Sequence, residues 1–268
     1  MTTTSPLVIA SDPEDAAAVE AVEAHHTHLA GELAGRVSLL LDAAGNSPGA
    51  AAEVRAGLVA FCDRELLPHA AAEESALYPA AHRDPAARLL VDGMLAEHRR
   101  IGALVDALRA APSETRGAGE ARALQVLFEE HLLKENTLVL PLLAGSPEVS
   151  LSGLLAGMHD LLGHHAHEAE GLQEGAEAAG GCGGTCACGD AEEAAVPELD
   201  VREIPHALRH ATVFGALDAV PAGRAMVLVA PHDPLPLLGQ LEDRAPGAFA
   251  VEYLERGPEA WRLQLTHR

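Results

Sequence analysis

HAAAEESALYP at residues 69–79 and HLLKENTLVLP at residues 131–141 share one pattern, His-x3-Glu-x5-Pro, which places His69, Glu73 and Pro79 against His131, Glu135 and Pro141. A histidine and a glutamate four apart on a helix lie on one face, a turn from each other, so each pair offers two donors to the same space. A second match lies upstream of each. AHHTHLAGEL (24–33) contains His26 and EHRRIGALVDAL (97–108) contains His98, with Leu29 and Ile101 three residues further on. The chain therefore reads as a duplicated helical hairpin, His26 then His69–Glu73, and His98 then His131–Glu135. Two such halves facing each other across a bundle make a dinuclear metal site.

The apolar stripes agree. Val19, Val22, Leu29, Leu33 and Leu40 form one face of the first helix and include His26. Met94, Ile101, Val105 and Leu108 do the same around His98. Leu58, Cys62 and Leu77 flank His69 and Glu73, and Leu124, Phe128 and Leu138 flank His131 and Glu135. Buried carboxylates need partners, and metal ions supply them. Satisfied core histidines and solvated glutamates would account for any one of these residues, but not for the repeated set. His25 borders the first stripe and competes with His26, whereas His28 lies on the polar side. Glu74 reads as a solvated or outer group. Tyr78, one turn beyond it, reads as packing or as a neighbour of the centre. Imidazole with carboxylate, no thiolate and more than four ligands suits iron better than a closed tetrahedral zinc site.

The remaining composition bounds the rest. The chain has 268 residues, 48% of them hydrophobic but only 3% aromatic, so its core is built from Leu, Val and Ala, residues compatible with helices. A net charge of −22 argues against nucleic acid or an anionic membrane as partner. No apolar run is long enough to span a membrane. MTTTSPLVIASDPED does not read as a secretory signal, and the crowding of Cys182, Cys186 and Cys188 is no disulfide framework, so a reducing cytoplasm is expected.

Gly- and Pro-containing breaks at 45–49, 83–85, 111–119 and 145–150 divide the first part into four long helices, with a shorter fifth helix over 150–168. The expected organisation is an all-α up-and-down four-helix bundle over 15–168, a Gly/Cys-rich linker over 169–196, and a small α/β sandwich over 197–268. That last part reads β-α-β-α-β-β: LDVREI, PHALRHATVFGALDAV, AMVLVA, DPLPLLGQLEDRA, AFAVEYLE and AWRLQLT.

Over about residues 15–165 the order of six ligands, His26, His69, Glu73, His98, His131 and Glu135, resembles the hemerythrin HHE cation-binding family. The resemblance implies a non-haem di-iron centre, two iron ions bridged by carboxylate and oxide. Oxygen-carrying members have a further histidine four residues after the third-helix ligand, where this chain has Gly102. That departure points away from reversible oxygen carriage and toward the bacterial members linked to nitric oxide, oxygen and redox responses. LDVREIPHALRHATVFGALD, VAPHDPLPLL and PGAFAVEYLERGPEAWRLQLT resemble a domain of unknown function, 2249, often fused to hemerythrin-like domains and similar in fold to SirA-like sulfur carriers. Those carriers need a cysteine where this chain has Pro205-His206, so sulfur transfer is not expected.

Two further sites are candidates. Cys182, Cys186 and Cys188, in CGGTCAC and preceded by four histidines, form either a second metal site or a plain tether. Arg202, His210 and His232 form a candidate small-ligand site, against the simpler reading of helix capping and turn chemistry. The functional expectation is a binding protein, a cytoplasmic di-iron sensor or buffer for oxygen, nitric oxide or peroxide, with a redox partner protein. The alternatives are a di-iron enzyme (peroxidase, nitric-oxide reductase or iron–sulfur repair type) and an iron-handling module.

Overall fold

A computed structural model describes residues 13–46, 48–156 and 196–268. Helix α1 (Pro13–Asn46) is followed by α2 (Pro48–Phe61), a π-helical turn (Cys62–Leu66) and α3 (Leu67–Ala81), which together make one continuous second rod. The third rod is α4 (Arg88–Arg109). The fourth is α5 (Glu114–Lys134), a second π-helical turn (Glu135–Val139) and α6 (Leu140–Ala144). A further helix, α7, is described over residues 151–156. The rest of the expected fifth helix, and Cys182, Cys186 and Cys188, lie outside the described residues. Then come β1 (Glu198–Asp200), α8 (His206–Asp218), β2 (Ala225–Ala230), α9 (Leu235–Arg244), β3 (Phe249–Arg256) and β4 (Trp261–His267). A helical bundle followed by a small mixed α/β domain is thus the architecture. No described helix is long and apolar enough to cross a membrane.

The fourth rod starts earlier than the Gly-rich stretch 111–119 suggests. Ser113 caps it, its Oγ accepting the Arg116 N–H at 3.3 Å, and buried Ala118 and Ala121 then anchor the first turns against the core.

Both π-turns have a cause in the sequence. Proline cannot donate to the carbonyl four residues back, and its ring collides with that carbonyl. The carbonyls at risk from Pro68 and Pro141 are those of Arg64 and Thr137, and each lies in the middle of a π-turn that ends two residues before its proline. The widened turn absorbs the clash without breaking the rod. It also changes the phase of the helix beyond it. Leu138, expected on the inner face, is half exposed at 50%, and Val139 is fully buried in its place. Pro79, which aligns with Pro141 in the repeat, sits inside regular helix, so the two halves differ here.

The α/β sheet has the order β1-β2-β4-β3, with β1 parallel to β2 and the other neighbours antiparallel. α8 and α9 cover one face, where Val213, Leu217, Leu237 and Leu241 meet Met226, Leu228 and Leu265. This core is continuous with that of the bundle, because α8 lies directly on α1. At the crossing, backbone meets backbone. A Cβ on Gly35 would fall 1.9 Å from the Thr212 carbonyl oxygen, and one on Gly215 would fall 2.4 Å from that of Glu32. Buried Arg36 closes the edge of the contact: it donates to Glu32 Oε2 at 2.5 Å, reaches Asp218 Oδ2 at 3.5 Å, and lies over the Phe61 ring.

Two measurements check this packing. Val139→Ala should cost about 2 kcal/mol of unfolding free energy in denaturant titration, and Leu138→Ala no more than about 0.5 kcal/mol. Equal costs would put Leu138 back inside. Gly35→Val should lower the thermal midpoint through overpacking of about 1–3 kcal/mol. Gly49→Val, where an added Cβ meets nothing within 4 Å, should not.

Candidate metal centre

The bundle holds two apolar clusters with a polar slab between them. One is built on Val19, Val22, Leu77, Met94 and Leu143, the other on Leu29, Leu33, Leu66, Ile101 and Phe128. His26, His69, Glu73, His98, His131 and Glu135 fill the slab, all of them buried. Of the three neighbouring histidines on α1, His26 is 1% exposed, His25 is half-buried and His28 is exposed. His25 nevertheless stands beside His69, with ring centroids 5.0 Å apart. Gly102 is half-buried on α4, with open space where a side chain would project.

The imidazoles form two pairs, and Glu73 lies between them. Its Oε1 is 3.4 Å from His26 Nε2 and 2.8 Å from His69 Nε2, while its Oε2 is 3.4 Å from His98 Nε2. Two ion-sized donor groups result, His26–His69–Glu73 and Glu73–His98–His131, with Glu73 common to both. Glu135 also faces both halves, its Oε2 3.9 Å from His26 Nε2 and 3.9 Å from His131 Nε2. Each half-site therefore pairs histidines from consecutive rods, and the two carboxylates join the halves.

Three of the four outer nitrogens are held as well, that of His69 being the exception. His26 Nδ1–H donates to Asn136 Oδ1 at 2.6 Å, His98 Nδ1–H to Glu74 Oε1 at 2.9 Å, and His131 Nδ1–H to Glu97 Oε2 at 3.0 Å. Lys134 pairs with the other oxygen of Glu97. A proton fixed on Nδ1 leaves the Nε2 lone pair pointing inward, which is the tautomer a metal requires. Sequence spacing does not single out Glu97 or Asn136. They adjoin His98 and Glu135 in the chain but serve histidines on other helices, so only the fold reveals the pairing.

A cation fits this arrangement. His98 Nε2 and His131 Nε2 are 3.0 Å apart. With a proton on each Nδ1, two lone pairs would face each other at that range, and either a proton or an ion between them relieves this; nitrogens about 2.1 Å from one ion, at right angles, stand about 3 Å apart. Both oxygens of Glu73 and Glu135, Nε2 of His26 and both nitrogens of His69 are buried without a well-directed hydrogen bond. Burial pushes the Glu135 carboxyl well above the usual range, and the charge of Glu73 beside it adds to this. Burial also opposes charge on Glu73, but His69, His26 and His98 outweigh it and hold that carboxyl well below the usual range. Burial lowers His131 to about 4 despite Glu73, and His98 adds to the lowering. Protein groups alone keep one carboxylate charged, whereas two cations would stabilise both.

Tyr78 points into the slab rather than merely packing beside it. Its hydroxyl is 3.2 Å from His131 Nε2 and 3.4 Å from His98 Nε2. A groove of about 200 Å³ at the junction of α1, the fourth rod and α8 leads from the surface to His26 and Asn136.

Of the other candidate residues, His210 and His232 border one cavity in the α/β domain. Arg202 does not. It is drawn to Asp200 two residues back, with Nη2 2.6 Å from Oδ2.

Removing an outer partner tests the tautomer argument. Asn136→Ala should weaken metal binding by about 10–100-fold in competition with a chelator while leaving the helix content intact. Unchanged affinity would show that His26 needs no orientation from Asn136.

Comparison with known proteins agrees with the geometry in both parts of the chain. Residues 17–143 match the hemerythrin HHE cation binding domain, and residues 198–267 match the uncharacterized conserved protein family DUF2249. No curated protein and no solved structure matches. The chain thus joins a helical region that matches the hemerythrin HHE cation binding domain to an α/β region that matches DUF2249.

Proposed function

We propose that the slab holds two iron ions and that the protein binds oxygen, nitric oxide or peroxide there as a sensor or buffer. The observation that carries this reading is Glu73, one oxygen of which serves His26 and His69 and the other His98. A carboxylate placed in this way can give one oxygen to each of two ions. The donors are His26, His69, His98, His131, Glu73 and Glu135. When bound, two such ions supply open coordination positions and one-electron redox chemistry.

The chain's own groups do the rest. The apolar clusters on both sides exclude bulk water. Asn136, Glu74 and Glu97 hold three of the imidazoles in their binding tautomer. The groove beside Asn136 offers a small neutral molecule the short way in, and the acidic surface disfavours anions and favours a basic redox partner. A sensing role draws support from α1, which bears His26 and, five residues later, begins its backbone contact with α8. A shift of His26 has little slack before it reaches the second domain.

A second reading, an enzyme that turns over peroxide or nitric oxide, is favoured by Tyr78. Its hydroxyl stands within hydrogen-bond distance of two of the donors and can donate a hydrogen bond to a ligand bound between them. Burial pushes its pKa well above the usual range, and the charges of Glu73 and Glu135 add to this, so it stays protonated as a donor.

Anaerobic reconstitution of the full chain should give about two irons per chain by metal analysis. One tightly bound zinc would overturn the di-iron reading. In stopped-flow absorbance with oxygen, the reduced protein should oxidise and stay oxidised after degassing. Return of the reduced spectrum would make it a reversible carrier. Steady turnover of peroxide or nitric oxide that Tyr78→Phe abolishes would establish the enzyme instead.

A further inference from the structure

We propose that the α/β domain carries a second binding site, at the C-terminal ends of β1 and β2, for a small anion with a short apolar body, of the short-chain carboxylate type. β1 and β2 are parallel and joined by α8, so both strands end on the same side. In open α/β sheets that is where ligands bind. A cavity of about 90 Å³ lies there, several times the roughly 10–15 Å³ that one water needs. It has room for a group of several heavy atoms.

The lining has two characters. Val201, Val213, Leu228 and Leu237 make an apolar floor. His206, His210, His232 and Arg209 stand around it. His206 and His210 are one turn apart on α8 and so share a face, while His232 comes from the turn after β2. Arg209 is fixed: its Nε donates to the Ile204 carbonyl at 2.8 Å and its Nη2 to the Arg202 carbonyl at 3.2 Å. The guanidinium thereby ties down the turn between β1 and α8 and keeps its charge at the cavity.

Among the described residues, no carboxylate lines the cavity, although the chain as a whole has a net charge of −22. In such a protein a hollow whose one formal charge is the Arg209 guanidinium, with three imidazoles beside it as hydrogen-bond donors, favours an anion over a cation. The alternative occupant of a histidine cluster is a metal ion. Among the described residues, the groups of three ligating side chains close enough to share an ion lie in the bundle and include none of these histidines. The apolar floor then distinguishes the ligand from a bare inorganic anion, since burying a short hydrocarbon body adds about 0.8 kcal/mol per methylene. The site stands apart from the metal centre and does not depend on how that centre is read.

Titration of the full-length protein, followed by histidine imidazole NMR, tests the proposal. Butyrate should shift the His206, His210 and His232 resonances saturably, and inorganic phosphate should bind at least about tenfold more weakly for want of apolar contact. Butyramide and butylammonium, which match butyrate in shape but lack its charge, should produce no saturable shift. H210Q/H232Q replaces two exposed side chains and should lose at least about tenfold in butyrate affinity, read from His206, with the metal content of the bundle unchanged. The site is not what we propose if butyrate shifts do not saturate, if butyramide binds as well as butyrate, if phosphate binds equally tightly, or if the double variant binds undiminished.

Discussion

Two carboxylates and four imidazoles enclosed between two apolar clusters are the constraint around which the bundle is arranged. A protein of this kind cannot leave both carboxylates charged without cations, and it cannot move them to solvent without opening both clusters. The slab therefore makes the bundle's stability conditional on what occupies it. The apolar layers, in turn, hold Glu73 where its two oxygens face different pairs of imidazoles. Hydrophobic packing and metal chemistry are here two descriptions of one interior.

Much of this is legible in the sequence because it follows from helical period. His26 is separated from His25 and His28 by the face on which Val22 and Leu29 lie, and the structure buries the residue that the stripe selects. The repeated His-x3-Glu spacing announces two half-sites. The duplicated hairpin also gives the histidine pairs that the fold has, His26 with His69 and His98 with His131; the spacing does not announce that each glutamate faces both pairs. Bridging of this kind has no signature in the order of residues. The same holds for Glu97, Glu74 and Asn136, each bonded to a histidine of another helix.

Leu138 shows a different failure, of period rather than of partner. A stripe extended through Glu135 treats the helix as uniform, but Pro141 obliges a wider turn and hands the inner position to Val139. The proline four residues after Thr137 is visible in the sequence, but Pro79 stands four after Ser75 in regular helix, so a proline alone does not announce the wider turn. That turn marks a change of phase within the pattern and not only the pattern's end. The glycine-rich run at 117–119 likewise looks like a break, although Ser113 has already capped a helix that uses small residues for close packing.

Gly31-x3-Gly35 on α1 and Ala211-x3-Gly215 on α8 leave the two helices no side chains with which to adjust their crossing. An interface made of side chains can be repacked around a new partner, one substitution at a time. A contact of bare backbone admits only a helix with small residues in the same register. The consequence is evolutionary. The second module cannot be exchanged by recombination in the linker alone, because a newcomer would meet a face of α1 cut to fit another helix. Inheritance of the two modules is joined on that face, and drift at any of these four small residues on one side must be answered by the other.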